Sequence, residues 1–286
     1  MLNAASTKLA KPPKTGYRFA QGRSSRTSSG QWWWRRCISI GAAPGINRGT
    51  TTARSQTSML RFPYYKKSTY SSQIAAISWL MKEDYGRAIA DFDVALRLRP
   101  DNAALLGYRG LARSSSSDND GAMADFDAAV SLEPANPWIL GSRGRHRFHD
   151  GQFAAAESDF TAALKLDPKN RYIALWLHLA RVRGNHGDGL SELSASVQND
   201  GTGEWPTPIV ERFLGRIDLG TLKARAANTD ARLQREHACE VSFYLGRLAR
   251  IAGNKESARE LFQESLSSCP KSFVEYRAAK AELKRL

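Results

Sequence analysis

Long apolar runs are absent from the sequence. No stretch reaches the roughly 18–20 apolar residues that a membrane-spanning helix requires, which excludes a transmembrane segment. The sequence also lacks a nucleophile elbow, a phosphate-binding loop and a carboxylate pair on a rigid frame. The one serine flanked by glycines, in GDGLS at 187–191, has no strand before it, and we interpret it as a turn. We therefore expect no catalytic residues, no enzymatic activity and no cofactor.

Clusters of metal ligands are also scarce. His146 and His149 are three residues apart in RHRFHDG, with Asp150 beside them. A zinc site needs three or four converging ligands, and the nearest other histidines, His178 and His186, lie about one repeat length further on. We expect solvated histidines at a helix end and no metal site.

Acidic residues are missing from the N-terminal part of the chain. No Asp or Glu precedes Glu83, and this stretch holds 14 of the 42 Lys and Arg residues. The remaining 28 basic residues are balanced by 28 acidic ones, so the net charge of +14 belongs to the N-terminal part. A basic chain often binds nucleic acid. Here that alternative would depend on the tail alone, and we do not favour it.

The sequence divides into two parts. Residues 1–65 are basic, free of acid and of low complexity, and we expect them to be disordered because they cannot bury enough apolar surface. A misassigned translation start, a true basic tail and an organellar transit peptide all fit this composition. The apolar stretch after Cys37 is too short for an export signal, and Cys37 does not look like a lipid-attachment cysteine. Residues 66–286 form the predicted folded domain.

A repeat of 34 residues runs through this domain. Three segments, ADFDVALRLRP, ADFDAAVSLEP and SDFTAALKLDP, end at prolines 34 residues apart, and a fourth copy ends three intervals later. Within each unit, small residues at three positions allow two helices to approach closely. One phenylalanine fills the space between neighbouring hairpins, and the proline ends the second helix. The four phenylalanines are Phe92, Phe126, Phe160 and Phe262.

These positions resemble the tetratricopeptide repeat over about 69–170 and 239–270. The resemblance implies an all-α solenoid of about five helical hairpins, one of them degenerate, with a C-terminal capping helix. The degenerate unit follows residue 170. Its first helix survives at 172–183, and two short helices are expected at 208–215 and 218–226. Trp205 to Pro208 would then form a helix-starting corner, with Pro208 at or near a first helical position.

The order of segments in the C-terminal half resembles something narrower, the NlpI-type tetratricopeptide proteins of Gram-negative bacteria. It rests on ALWLHLAR (174–181), EWPTPIVERFLGRIDLGTLKAR (204–225) and FVEYRAAKAELKRL (273–286). The resemblance implies a non-enzymatic, commonly homodimeric adaptor of the cell envelope. Such an adaptor docks a periplasmic protease and peptidoglycan hydrolases. Because no lipid-attachment signal is visible, a generic cytoplasmic interaction protein is the alternative.

The resemblance also implies where partners bind, because the first helix of each tetratricopeptide hairpin lines a concave groove. Aromatic and arginine side chains are the usual anchors of interfaces. Packing between hairpins is the alternative role for each of these positions. The chain lacks the Lys and Asn pair that tetratricopeptide receptors of chaperone tails use. The candidate groove residues are Tyr108, Leu111, Trp138, Arg145, Phe148, His149, Trp176, Leu179 and Arg183.

Two cysteines occupy opposite ends of the last repeat. Cys239 is its first residue and Cys269 its thirty-first. In an antiparallel hairpin these ends are adjacent, so a disulfide forms if the α-carbons lie within about 4.4–6.8 Å. A disulfide would favour an oxidising compartment. Two partly buried thiols fit the pattern equally well.

Overall fold

The computed structural model describes residues 69–198, 203–271 and 273–286. Within these ranges the chain forms thirteen helices and no strand. The predicted disordered segment, 1–65, lies outside the described residues. In chain order the helices are α1 (Thr69–Met81), α2 (Tyr85–Leu98), α3 (Ala103–Ser115), α4 (Asn119–Leu132), α5 (Pro137–His149), α6 (Phe153–Leu166), α7 (Arg171–Gly184), α8 (Leu190–Ser196), α9 (Thr207–Phe213), α10 (Leu219–Ala226), α11 (Ala231–Ile251), α12 (Lys255–Ser268) and α13 (Val274–Leu283).

The helices pack as consecutive hairpins. The pairs α1/α2, α3/α4, α5/α6 and α11/α12 are regular, and α7 to α10 form the irregular region between them. This arrangement confirms the predicted all-α solenoid with one degenerate unit. None of the helices in the described ranges is both long and apolar enough to cross a membrane.

Asparagine caps define where three of the first helices begin. Asn102, Asn136 and Asn170 are spaced by 34 residues, and each side chain accepts a hydrogen bond from a backbone N–H in the following turn. An N-cap of this kind satisfies a donor that the helix itself leaves unpaired. The second helices end two residues before the repeat prolines. Each of these 34-residue units therefore contains the residues that begin its first helix and end its second helix.

The repeated phenylalanine packs on a glycine of its own hairpin. A β-carbon placed on Gly144 would lie 2.7 Å from the ring of Phe160, and one on Gly246 would lie 2.8 Å from the ring of Phe262. The opposite side of the Phe160 ring faces the next unit, where it stacks with Trp176 at a centroid distance of 6.4 Å. One ring thus joins two helices and the following hairpin.

A second 34-residue pattern is ionic. The buried Asp159 accepts hydrogen bonds from Arg143 at 2.7 and 3.0 Å and from Arg147 at 2.9 Å. One repeat earlier, Asp125 accepts from Arg109 and Arg113 in the same way. These repeated ion pairs were not predicted, although their residues recur at the same 34-residue spacing in the sequence.

The Trp-Pro-Thr-Pro corner is packed against α11. The Trp205 ring stacks on His237 at a centroid distance of 4.0 Å, and its Nε1 donates to Glu240 Oε2 at 2.8 Å. Helix α9 begins at Thr207, which places Pro208 in the first helical turn. The corner leads the chain into the short helices α9 and α10.

Candidate protein-binding groove

The C-terminal helix α13 lies across the face formed by the first helices of four units. Arg277 donates to the Ser115 hydroxyl of α3, and Arg285, just after α13, donates to the His149 carbonyl at the end of α5. Glu282 pairs with Arg183 of α7 and with Arg247 of α11. The helix therefore caps the last hairpin and also covers part of the groove in front of earlier ones.

Glu282 is the centre of this contact. Its side chain is fully buried, and one guanidinium from α7 and two from α11 lie within 3.2 Å of its carboxylate oxygens. The nearest approaches are 2.9 Å from Arg247, 3.1 Å from Arg183 and 3.2 Å from Arg250. A buried carboxylate persists only when it is paired and hydrogen-bonded. The arginines thus form a carboxylate clamp on the groove floor.

Arg247 is buried among aromatic rings. Its guanidinium lies 4.7 Å from the centroid of the Phe148 ring and 5.3 Å from that of Phe243, distances typical of cation–π attraction. Burial lowers the pKa of Arg247 to about 10, while the Glu282 carboxylate acts in the opposite direction. The rings of Phe148 and Phe243 and the carboxylate of Glu282 together stabilise this desolvated guanidinium.

A pocket of about 460 Å³ separates α13 from the first helices α3 and α5. We call it the groove pocket. Leu111 and Arg145 line it from the first helices, and Arg277 and Lys280 line it from α13. A smaller cavity of about 200 Å³ lies beside the carboxylate clamp. The groove pocket is the space that α13 leaves in front of α3 and α5, and the smaller cavity lies between α7 and α11.

The predicted groove residues fall into two groups. Five line the two cavities and four pack between hairpins. Phe148 and Trp176 are 0% and 1% exposed and belong to the hydrophobic core. Tyr108 and Trp138 contact each other at a centroid distance of 4.8 Å. The cavity-lining residues are Leu111, Arg145 and His149 in the groove pocket, and Leu179 and Arg183 in the smaller cavity.

The histidines at the end of α5 are not solvated, and that expectation was wrong. His146 is 6% exposed and its Nδ1 lies 2.9 Å from the Ser114 hydroxyl. Both ring nitrogens of His149 are shielded from solvent and have no hydrogen-bond partner. Burial lowers the pKa of His149 well below its usual value, and Arg247 and Arg277 lower it further. The reason is tertiary, because His146 packs against Ser114 of α3 and Phe126 of α4, and the His149 ring packs against Trp176 of α7.

Metal chemistry finds no support in this part of the chain. Among residues 69–198, 203–271 and 273–286, no three His, Cys, Asp or Glu side chains are grouped so that they could hold an ion.

The clamp residues Arg247 and Arg250 were not predicted. Arg247 lies three repeat lengths after Arg145, and Arg250 lies three repeat lengths after Phe148. Applying the groove positions to the last repeat would therefore have found both. Glu282 and Arg277 follow the last repeat, and no periodic pattern marks them.

Comparison with known proteins finds a match in one segment of the chain. The sequence model of the tetratricopeptide repeat matches residues 80–137. This segment contains a tetratricopeptide repeat. The matched residues extend from the end of α1 to the start of α5, and the 34-residue pattern continues beyond them. The match is to the general tetratricopeptide repeat and does not single out the NlpI-type proteins.

Several solved structures are similar to this chain. A thermophilic tetratricopeptide protein of Thermus thermophilus is 13% identical, with a TM-score of 0.47. The match covers 76% of this chain and 100% of the Thermus chain. The type IV pilus biogenesis factor PilW is 18% identical, with coverages of 74% and 98% and a TM-score of 0.45. YrrB, described as having an unusual peptide-binding site, is 16% identical, with coverages of 76% and 94% and a TM-score of 0.42. Identities this low do not transfer function.

Proposed function

We propose that this protein is a non-enzymatic adaptor that binds other proteins in the groove between its first helices and α13. The groove pocket carries the proposal. It is about 460 Å³ in volume and combines apolar and cationic side chains, such as Leu111 and Arg145. Concave solenoid faces are the usual binding surfaces of repeat proteins, and arginine is a common interface anchor.

The adaptor mechanism is simultaneous docking. One partner occupies the groove while the second helices present a separate outer surface to another partner. Holding two proteins on one scaffold raises their effective concentration without any new chemistry.

Photo-crosslinking from two positions tests the proposal. A photoreactive amino acid replaces the exposed Asn119 beside the groove pocket, or the exposed Ala154 on the outer side of α6, in the full-length protein. We expect Asn119 to capture a discrete set of proteins that Ala154 does not. Identical products from both positions, or none from Asn119, would contradict binding in the groove.

The pathway is a finer hypothesis, and it rests on the resemblance to NlpI-type proteins. It predicts that the proteins crosslinked at position 119 include an envelope protease or a peptidoglycan hydrolase. It also predicts a homodimer, which analytical ultracentrifugation of the purified chain detects. If only cytoplasmic proteins were crosslinked, the envelope pathway would be rejected and the general adaptor function would remain.

A further inference from the structure

The groove pocket carries more positive than negative charge. Lys271, Arg277, Lys280 and Lys284 line it from the C-terminal segment, and Arg145 lines it from α5. Only two carboxylates, Glu83 and Asp150, are among the lining residues. The C-terminal wall contributes four of the five cations, and the opposite wall contributes Arg145 together with both carboxylates, so the pocket as a whole has an excess of cations. A cleft lined by one sign of charge attracts ligands of the opposite sign.

Two of these cations face each other across the pocket. Burial, together with the charge of Arg277, lowers the pKa of Arg145 to about 10. The hydrogen bonds of both go to hydroxyls, from Arg145 Nη2 to Ser142 at 3.0 Å and from Arg277 to Ser115. Glu275 acts electrostatically on both guanidiniums, and Glu83 also acts on Arg277. An added anion would relieve this repulsion.

The neighbouring carboxylate clamp shows what chemistry this groove accepts. There, three arginines take a carboxylate from the chain's own C-terminal helix, and Glu282 is fully buried between them. The groove pocket is lined by five cations and two carboxylates, so its cations are also in excess. A glutamate or aspartate side chain from another protein has the same functional group as Glu282.

We propose that the groove pocket binds an acidic peptide segment of a partner protein through at least two carboxylates. This inference rests on the adaptor function and specifies the partner's chemistry. Cations on two walls of a pocket of about 460 Å³ need more than one anionic group, and the space exceeds that of a single small oxyanion. A peptide supplies several carboxylates on one backbone and can contact Arg145 and the α13 lysines together.

Fluorescence anisotropy with a labelled hexaglutamate peptide tests the inference, with hexaglutamine as the uncharged comparison. The full-length protein is used at about 0.15 M salt, where charges further apart than roughly 8 Å are largely screened. The double variant Lys280→Gln/Lys284→Gln removes two exposed pocket cations. The control, Lys223→Gln/Lys255→Gln, removes two exposed lysines from α10 and α12, outside the pocket lining. Both variants keep the basic N-terminal region, so its contribution cancels.

We expect the pocket variant to bind hexaglutamate about fivefold more weakly than the wild type, and the control to bind like the wild type. Arg145→Gln should lose about tenfold or more, because a charged hydrogen bond is replaced by a neutral one. Circular dichroism and the melting temperature show whether each variant is folded. The exposed lysine pair provides the decisive comparison even if Arg145→Gln unfolds.

Three results would overturn the inference. Equal losses in the two double variants would locate binding elsewhere, and hexaglutamine binding as tightly as hexaglutamate would remove the role of charge. Displacement of the peptide by an equal concentration of inorganic phosphate would indicate a small-anion site. If crosslinking at position 119 still captured partners after any of these results, only the acidic-peptide inference would fail, and the adaptor function would stand.

Discussion

Glu282 of α13 and Arg247 of α11 form an ion pair of 2.9 Å in which the two side chains are 0% and 2% exposed. Neither charge reaches solvent, so Arg247 depends on Glu282, and Glu282 depends on Arg247 together with the flanking Arg183 and Arg250. A buried pair of this kind adds little by its formation, but breaking it is costly. It attaches the C-terminal helix to the groove floor.

Replacing Glu282 with Gln should destabilise the protein by about 3–5 kcal/mol, because three guanidiniums lose their buried counter-charge. Urea denaturation followed by circular dichroism measures the loss. The exposed Glu260 on α12 provides a matched control, for which Gln should change the stability by less than about 0.5 kcal/mol. Equal stabilities for the two variants would show that the clamp does not hold α13.

Asp159 and Asp127 both bind Arg143 but differ in exposure, with 4% and 51% of the side chain exposed. Asp159→Asn should cost about 2–3 kcal/mol, since its charged hydrogen bonds are buried. Asp127→Asn should cost at most about 1 kcal/mol, because water screens an exposed pair. Thermal melts of both variants test this order, and a larger effect at Asp127 would contradict it.

Gly144→Ala places a methyl group 2.7 Å from the Phe160 ring, so the ring must shift. We expect a loss of about 1–3 kcal/mol from overpacking. The same change at the exposed Gly220 of α10, whose nearest neighbouring atom is 3.6 Å away, should be neutral or stabilise the protein by up to about 1 kcal/mol. Chemical denaturation of both variants distinguishes packing from helix propensity. A stabilising Gly144→Ala would contradict the packing described above.

The folded-state pKa of His149 lies below that of an unfolded histidine because of burial and the surrounding Arg247, Arg277, Arg285 and Arg145. As the pH falls, the unfolded chain therefore takes up the proton first. The stability from neutral His149 is complete above about pH 6.5 and decreases below it toward the folded pKa, by at most about 1.4 kcal/mol per pH unit. Melting temperatures between pH 7.5 and 5 should fall less steeply for His149→Leu. An unchanged slope in that variant would argue against a buried neutral histidine.

Cys239 and Cys269 are bonded in the structure, with α-carbons 4.6 Å apart and a sequence separation of 30. Closing a loop of this length should contribute roughly 3.5–4 kcal/mol by restricting the unfolded chain. Mass spectrometry after alkylation, with and without reductant, should find Cys37 as the one reactive thiol before reduction. The double variant Cys239→Ser/Cys269→Ser should lose this stability, and Cys37→Ser should not. Three thiols alkylated without reductant would refute the bond.

Much of the groove was predictable because position in the repeat decides position in the fold. Leu111 and Arg145, one repeat apart, were assigned to the groove from their register, and both line the groove pocket. Phe148 and Trp176 follow the same rule but are buried in the core. Register determines the side of a helix on which a residue lies, but the size of the side chain and the next hairpin determine whether solvent or a partner can reach it.

The sequence by itself determined the repeat and its helix boundaries, because these depend on residues within one hairpin or its immediate neighbour. Only the tertiary structure decided where the C-terminal helix lies. Glu282 is separated by about one hundred residues from Arg183, and no local pattern connects them. Their pairing follows from the position of α13 against α7 and α11 and from the desolvation of the charges that this position brings together. The same placement of α13 creates the cationic pocket to which we assign binding of an acidic partner.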